Sequence, residues 1–298
     1  LAGALLLGLL ALAFAVYRRI FWIGLALLGL TAALFYLQFR ALHWQWLLPL
    51  LTVAVFVWLY YIVAASIEYL HERKVRQRAI ETFGRFLDPR VVQALVEKGE
   101  TTESLRGRSR QISVLFSDIR GFTTLSETSS PEQIVELLNR YFSLQAGAIF
   151  RHQGTLDKYI GDAIMAFWGA PAEQPDHALL AVAAALEMSE RLEQFRAEAG
   201  ELAGGLDIGI GVHSGKAVVG FIGSENRQDY TAIGDTVNLS SRIEGLTKGV
   251  ARVLVSEDTM RLCLQRGDAC PFVFEDKGSF SVKGRAQAVR LYEPRKKS

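Results

Sequence analysis

Hydrophobic and polar positions divide this chain into two unlike parts. Up to about residue 67 apolar positions run almost without interruption, in three stretches: Leu1 to Val16, Phe21 to Phe39 and Trp46 to about Ser66. Each approaches the roughly 20 apolar residues that a helix needs to cross a bilayer, the first being cut short where the sequence begins. A signal sequence would explain the first stretch but not the next two. From Ile67 charges enter while the helical pattern continues, and Ile80, Phe83 and Leu87 keep the three-to-four spacing of a short helix seam. Asp88-Pro89 stops this helix, because a residue before proline avoids the helical region. Asp88 then caps a second short helix, Arg90 to Lys98, closed by Gly99.

Beyond residue 100 the pattern becomes that of a mixed soluble domain. Residues 101 to 110 are polar and read as a loop, and Ile112 to Phe116 reads as a buried strand running to Asp118 and a short glycine-containing turn. Ser130-Pro131-Glu132-Gln133 has the form of a capping box, opening a helix whose apolar face carries Ile134, Leu137, Leu138, Tyr141 and Phe142. Leu156 to Ile160 and Ala163 to Trp168 flank Gly161-Asp162, the signature of a tight hairpin. Asp176 to about Arg196 is a second amphipathic helix, ended by Gly204-Gly205. Leu206 to His213 and Lys216 to Ile222 predict another hairpin around Ser214-Gly215. Gly234 breaks the strand that holds Tyr230, Asp235 serves as N-cap, and Thr236 to Leu246 is helical. Arg252 to Ser256 and Phe280 to Lys283 are further strands. This order predicts an antiparallel-dominated sheet with helices on one face, an α+β domain of ferredoxin-like type.

Charge sharpens the division. The 298 residues carry a formal net charge of only +2, and no basic cluster points to nucleic acid. Arg18 and Arg19, and the group Arg73, Lys74, Arg76 and Arg78, flank the apolar stretches, which places both regions in the cytoplasm by the positive-inside rule. The loop from Arg40 to His43 and the N-terminus then face outward, with Trp44, Trp46, Trp58, Tyr60 and Tyr61 suiting an interfacial belt. The expected organisation is a membrane region over 1–66, a helical connector over 67–106 and a soluble domain over 107–298. A first residue of Leu rather than Met leads us to expect a piece of a longer chain, with any preceding portion outside the membrane. Cys263 and Cys270 make neither a disulfide framework nor a zinc pattern. His152, His177 and His213 have no ligand spacing.

Candidate chemistry lies at the ends of the predicted strands. Asp162 sits at a hairpin tip, and Asp118 ends a strand in I-S-V-L-F-S-D-I-R-G-F-T-T. Two carboxylates so placed suit a hard cation, since Mg²⁺ takes one or two carboxylates and completes its shell with water and phosphate. Lys158 precedes Asp162 on the incoming strand, and Asn238 and Arg242, four apart, share one helix face.

Four segments, F-S-D-I-R-G-F-T, D-K-Y-I-G-D, G-V-H-S-G and Y-T-A-I-G-D-T-V-N-L-S-S-R, together resemble the class III nucleotidyl cyclase catalytic domain over about residues 107 to 294. The resemblance implies a homodimer with composite active sites, acting on ATP with two divalent ions, Mg²⁺ or Mn²⁺, bound by Asp118 and Asp162. It implies that Lys158 and Thr231 read the purine, Lys158 suiting adenine where guanylate cyclases carry Glu, and Thr231 standing where other members have Asp. It further implies that Asn238 orients the ribose, that Arg242 stabilises the pentavalent transition state and that Lys283 contacts the terminal phosphates. Backbone N–H groups of the turn begun by Ile119 and Gly121 would hold phosphate. The implied activity is that of an adenylate cyclase in the plasma membrane with its catalytic domain in the cytoplasm. Guanylate cyclase, or a degenerate domain kept for nucleotide binding or dimerisation, are the alternatives. Some bacterial cyclases place an extracytoplasmic sensor of the CHASE2 kind before three spans, a layout the membrane region resembles.

Overall fold

The computed structural model describes residues 20–42, 50–83, 88–92, 105–199, 205–285 and 287–297. It divides into two compact units at Thr82/Phe83.

In the first unit, α1 (Ile20–Leu42) and α2 (Leu50–Phe83) pack against each other. Leu27 and Val57 are each 3 % exposed, and the Trp58 indole N–H donates to Thr31 Oγ1 at 3.0 Å. Most other apolar side chains point outward; Leu28, Phe35, Phe39, Phe56 and Ile62 are all more than half exposed. Ala54–Val75, with a mean hydropathy of 1.4, is long and apolar enough to cross a membrane, whereas the apolar part of α1, Gly24–Arg40, is shorter. The stretch Leu1 to Val16 lies outside the described residues. The expected run of charged residues after the last apolar stretch does continue the same helix, α2 reaching Phe83 without a break. The seam of Ile80, Phe83 and Leu87 lies outside the described side chains.

The second unit begins with Asp88, whose Oδ1 accepts from Arg90 N at 2.8 Å and so caps a helical turn over 89–92. Its Oδ2 accepts from Leu156 N at 2.8 Å, tying this turn to the sheet. Eight described strands follow: β1 (Arg108–Arg120), β2 (Thr155–Ile160), β3 (Ala163–Trp168), β4 (Asp207–Gly223), β5 (Gln228–Ile233), β6 (Val253–Ser256), β7 (Phe272–Phe280) and β8 (Val289–Lys296). The helices are α3 (Phe122–Thr128), α4 (Pro131–Arg151), α5 (His177–Ala199), α6 (Asp235–Gly245) and α7 (Glu257–Leu264). The sheet runs β2-β3-β1-β4-β6-β8-β7, with β5 paired to β4. The succession β1-α4-β2-β3-α5-β4, in the spatial order β4-β1-β3-β2, is the ferredoxin-like arrangement the sequence predicts. Of the strand pairs, β4 with β6 is parallel and the others are antiparallel.

Alternation along the strands sorts the core into layers. Leu115, Ile119, Ile164, Trp168, Ile208, Ile210 and Val212 pack with Leu137, Tyr141 and Ile149 of α4 and with Met188, Leu192 and Phe195 of α5. The intervening residues Ile112, Val114 and Phe167 form a second layer with Val219, Tyr230 and Ala232. The capping box forms as read: Gln133 N donates to Ser130 Oγ at 3.3 Å, and Ser130 N donates to Gln133 Oε1 at 3.1 Å. Burying one face of α4 and α5 against the sheet is what holds these helices in place.

Five expectations need correction. No hairpin forms at Ser214-Gly215, because β4 runs straight through as a 17-residue strand that pairs with β1 continuously from Asp207 to Val219. Gly215 is there for close approach, since a Cβ would stand 2.7 Å from Thr236 Oγ1 of α6. Helices cover both faces, not one. Gly209 and Gly211 project away from Ile208 and Ile210, and α6 lies directly on them. Gly234, not Asp235, is the N-cap of α6, and Asp235 opens the helix, where its charge suits the positive helix end. Arg108 to Arg110, read as loop, already belong to β1, and the turn after Asp118 contains the helix α3. Phe280 ends β7, so Lys283 lies in the turn that follows rather than in a strand. Of the short helix Arg90 to Lys98, only its start is described.

A polar seam crosses the core between β1, β4, β6 and the helices. His177 Nδ1 meets Ser113 Oγ at 2.7 Å, which meets Ser214 Oγ at 2.6 Å, then Thr259 Oγ1 at 3.0 Å, Ser256 Oγ at 3.1 Å and His213 Nδ1 at 2.7 Å. Each hydroxyl has one proton to donate, so the four hydroxyls fill four of these five contacts. At least one histidine Nδ1–H must therefore donate into the chain. Burial pushes His213 down to about 4 and also lowers His177. These rings are structural, in line with their lack of ligand spacing. His152 instead meets Glu187 Oε2 at 2.8 Å.

Candidate active site

Two strand ends carry the acidic pair. Asp118 is the third residue from the end of β1, opposite Gly209 of β4, and Asp162 follows Gly161, whose φ of +64° closes the β2–β3 turn at no steric cost. Because β3 pairs with β1, the turn lies beside the end of β1 and the two carboxyls come close enough to act on each other. Burial and the neighbouring Asp118 carboxyl push Asp162 up to about 6, while the nearby Ile119 backbone N–H opposes the shift. Two carboxylates this close repel unless a proton or a cation lies between them. The donor set is all oxygen and contains two acids, which fits a Mg²⁺ or Mn²⁺ ion completed by water and phosphate. Among the described residues no cluster of three or more acidic, His or Cys ligands occurs.

Ile119, read as part of a phosphate-holding turn, instead lies within β1 with its side chain in the core. Gly121 does leave the strand, at φ +79°, and is the N-cap of α3. Two further groups surround the acidic pair that sequence reasoning missed. Glu244 of α6 reaches the space left by Gly209, where a Cβ would stand 2.5 Å from its Oε1. Burial, with the charges of Asp118 and Asp162, pushes Glu244 up to about 7, against the pull of Arg120. Tyr141 of α4 is fully buried nearby, and burial together with the same two acids keeps it a neutral phenol.

Lys158 and Thr231 are far apart in sequence, yet the fold brings them together through a residue not singled out beforehand. β2 carries a bulge between Leu156 and Lys158, and Asp157 at that bulge turns inward. Thr231 Oγ1 donates to Asp157 Oδ2 at 2.6 Å, and Lys158 Nζ stands 3.3 Å from Asp157 Oδ1. The Asp157 side chain is 0 % exposed, while that of Lys158 is 38 % exposed. Strict alternation would have put Asp157 and Lys158 on opposite faces, so only the bulge explains their meeting.

α6 carries the remaining residues. Asn238 is exposed and Arg242 half-buried on the same face. Ser240, on the inner side, donates to Val114 O at 2.7 Å and Gly211 O at 3.0 Å, which anchors the helix to the sheet. The turn bearing Lys283 docks on α6 through Val282, buried with Leu239 and Ile243. Gly284 lies against the Arg242 guanidinium, 3.4 Å from Nη1 to a Cβ built there, and Arg285 pairs with Asp235. The exposed Lys283 therefore shares a surface with Arg242.

A family model described as the adenylate and guanylate cyclase catalytic domain matches residues 106–293. Adenylate cyclase 1 of Rhizobium meliloti is 37 % identical over 237 residues, 77 % of this chain and 34 % of that protein, so the chain spans about a third of this relative's length. The crystal structure of the adenylyl cyclase CyaB from P. aeruginosa is 34 % identical with a TM-score of 0.59, covering 65 % of this chain and 98 % of that one. That of the guanylyl cyclase Cya2 is 37 % identical with a TM-score of 0.56, covering 63 % of this chain and 93 % of that one.

Proposed function

The chain belongs to the adenylate and guanylate cyclase family, and from that premise we propose that it is a membrane-anchored, homodimeric adenylate cyclase converting ATP to 3′,5′-cyclic AMP and pyrophosphate. The observation that carries the reading is the juxtaposition of the Asp118 and Asp162 carboxyls at neighbouring strand ends, in a chain that also keeps Asn238 and Arg242 on one helix face. In the reaction the ribose 3′-oxygen loses its proton and bonds to the α-phosphorus, while the bond from that phosphorus to the bridging oxygen of the β-phosphate breaks and pyrophosphate leaves.

Asp118 and Asp162 would hold two divalent ions, which supply a lowered pKa for the 3′-hydroxyl and a counter-charge for the triphosphate. Asn238 orients the ribose, and Arg242 meets the charge that develops on the pentavalent phosphorus, the work of a preorganised cation. Lys283 contacts the terminal phosphates, with Gly121 at the phosphate side of the site. Lys158 and Thr231 read the base. No protein general base is assigned. The acidic pair of one protomer completes a site with Lys158, Thr231, Asn238 and Arg242 of the other, so each homodimer has two sites. Support for ATP comes from Lys158, a donor suited to adenine; the likeness to a guanylyl cyclase structure keeps GTP as the second reading.

For the membrane part the reading is three spans, including the apolar stretches of α1 and α2, with the N-terminus outside and the catalytic unit in the cytoplasm. The outward apolar surface of α2 supports it. The test is cyclic nucleotide and pyrophosphate production by the full chain in detergent with Mn²⁺, ATP and GTP being offered separately and Asp162→Ala serving as blank. Cyclic AMP from ATP is expected. Cyclic GMP in preference would establish the second reading, and silence with both nucleotides would leave a binding module.

A further inference from the structure

We infer that Asp157 is a positioning residue that sets the choice between adenine and guanine, by fixing which way the Thr231 hydroxyl proton points. The inference rests on the reading of Lys158 and Thr231 as the base-reading pair.

Asp157 is a buried acid on β2 that reaches across to β5. Its side chain is 0 % exposed; the buried Oδ1 accepts no hydrogen bond among the described residues and has the Lys158 ammonium 3.3 Å away as its ion-pair partner. Its Oδ2 accepts from Thr231 Oγ1 at 2.6 Å and, more weakly, from Ala232 N at 3.4 Å. A buried carboxylate that spans two strands in this way is expensive to keep, and a hydrophobic residue would fill the same space at less cost. Burial raises its pKa, while Thr231 and Lys158 hold it back.

The consequence lies in proton direction. A carboxylate can only accept, so the single Thr231 proton is engaged on Asp157 and the oxygen shows a ligand nothing but lone pairs. Lys158, held by the other oxygen, shows a ligand only N–H donors. The two side chains therefore present one donor beside one acceptor, with no freedom to exchange roles. Adenine has an acceptor at N1 and a donor at its 6-amino group, which pairs with Lys158 at N1 and Thr231 at the amino group. Guanine in the same pose puts a donor at N1 and an acceptor at the 6-position, so both contacts become repulsive. A free threonine could turn its proton to the 6-oxo group; Asp157 removes that option.

Asp157→Asn keeps the shape but lets the new amide donate to Thr231 Oγ1, which frees the threonine proton. The expected result is a fall in the ATP-to-GTP ratio of kcat/KM by about ten- to a hundredfold, the worth of a base contact turned from repulsive to favourable. An unchanged circular-dichroism spectrum and thermal midpoint of the full chain report that the variant is folded. The corresponding ratio of affinities is read from displacement of a bound fluorescent ATP analogue by ATP and by GTP, which needs no turnover. A wild type that selects adenine in binding but makes no cyclic nucleotide would sink the cyclase reading and leave this inference standing. Equal losses for both nucleotides, with the ratio unchanged within about twofold, would overturn it and mark Asp157 as a packing residue. Thr231→Val supplies the second arm. In that background Asp157→Asn should no longer move the ratio, and a shift that persists would also overturn the inference.

Discussion

A single methyl group at Gly211 should damage both the stability and the activity of this protein. A Cβ on Gly211 would stand 2.2 Å from Glu244 N, 2.7 Å from Ser240 O and 2.8 Å from Glu244 Cα, all of it on or in the backbone of α6. Backbone has no rotamer to yield, so the helix must withdraw by about 1.2 Å to restore van der Waals contact. Withdrawal stretches the contacts of Ser240 Oγ with the Val114 and Gly211 carbonyls, now 2.7 and 3.0 Å, and loosens Leu239 and Ile243 in their cluster. Overpacking of about 1–3 kcal/mol, with weakening of the one Ser240 hydroxyl donation shared between these carbonyls at about 1 kcal/mol, gives a loss of about 3 kcal/mol for Gly211→Ala. The same displacement carries Asn238 and Arg242, and about 1 Å of misplacement is enough to lower turnover by about a hundredfold. The assay is urea unfolding of the fragment Phe83–Ser298, followed by Trp168, its single tryptophan, beside cyclic nucleotide production by the full chain. Gly245→Ala is the control: it ends the same helix, nothing lies within 4 Å of its Cβ, and it should change neither quantity by much. If Gly211→Ala keeps its unfolding midpoint and its rate, the idea that glycines on β4 set the position of the catalytic helix is wrong.

Two further outcomes follow from the same geometry. Burial lowers His213 to about 4 in the folded state against 6.5 unfolded, so its contribution is present above pH 6.5 and is lost as pH falls towards 4, the loss amounting to about 2.5 kcal/mol at pH 4.5; His213→Asn should flatten that part of the pH dependence of urea unfolding, and identical slopes for the two proteins would refute the linkage. Asp118→Ala and Arg242→Ala should each abolish activity alone, yet mixing them should restore about a quarter of the wild-type rate, because half the dimers are mixed and each has one intact site; a dead mixture in which mixed dimers demonstrably form would exclude the shared site.

Much of this protein was determined by local pattern. The capping box at Ser130, the β2–β3 turn at Gly161-Asp162 and the run of α2 beyond its apolar part depend on neighbouring residues, so they are legible in the sequence and form as read. The acidic pair was legible for the same reason, each member being set at a strand end by its own segment. What local pattern cannot convey is the use made of a glycine or a charge by a distant element. Ser214-Gly215 looks like a turn from its composition, but its glycine leaves room for α6, and β1 holds the strand straight. α6 occupies the opposite face because Gly209 and Gly211 clear a path there, a fact visible only once β4 and α6 are packed. Asp157 is the sharpest case. Strand alternation assigns it outward from Lys158, and only a bulge in β2, opposite a hydroxyl more than seventy residues away, turns it into a buried acceptor. Periodicity records which side of an element is apolar. Tertiary packing alone decides which polar groups are then forced to meet.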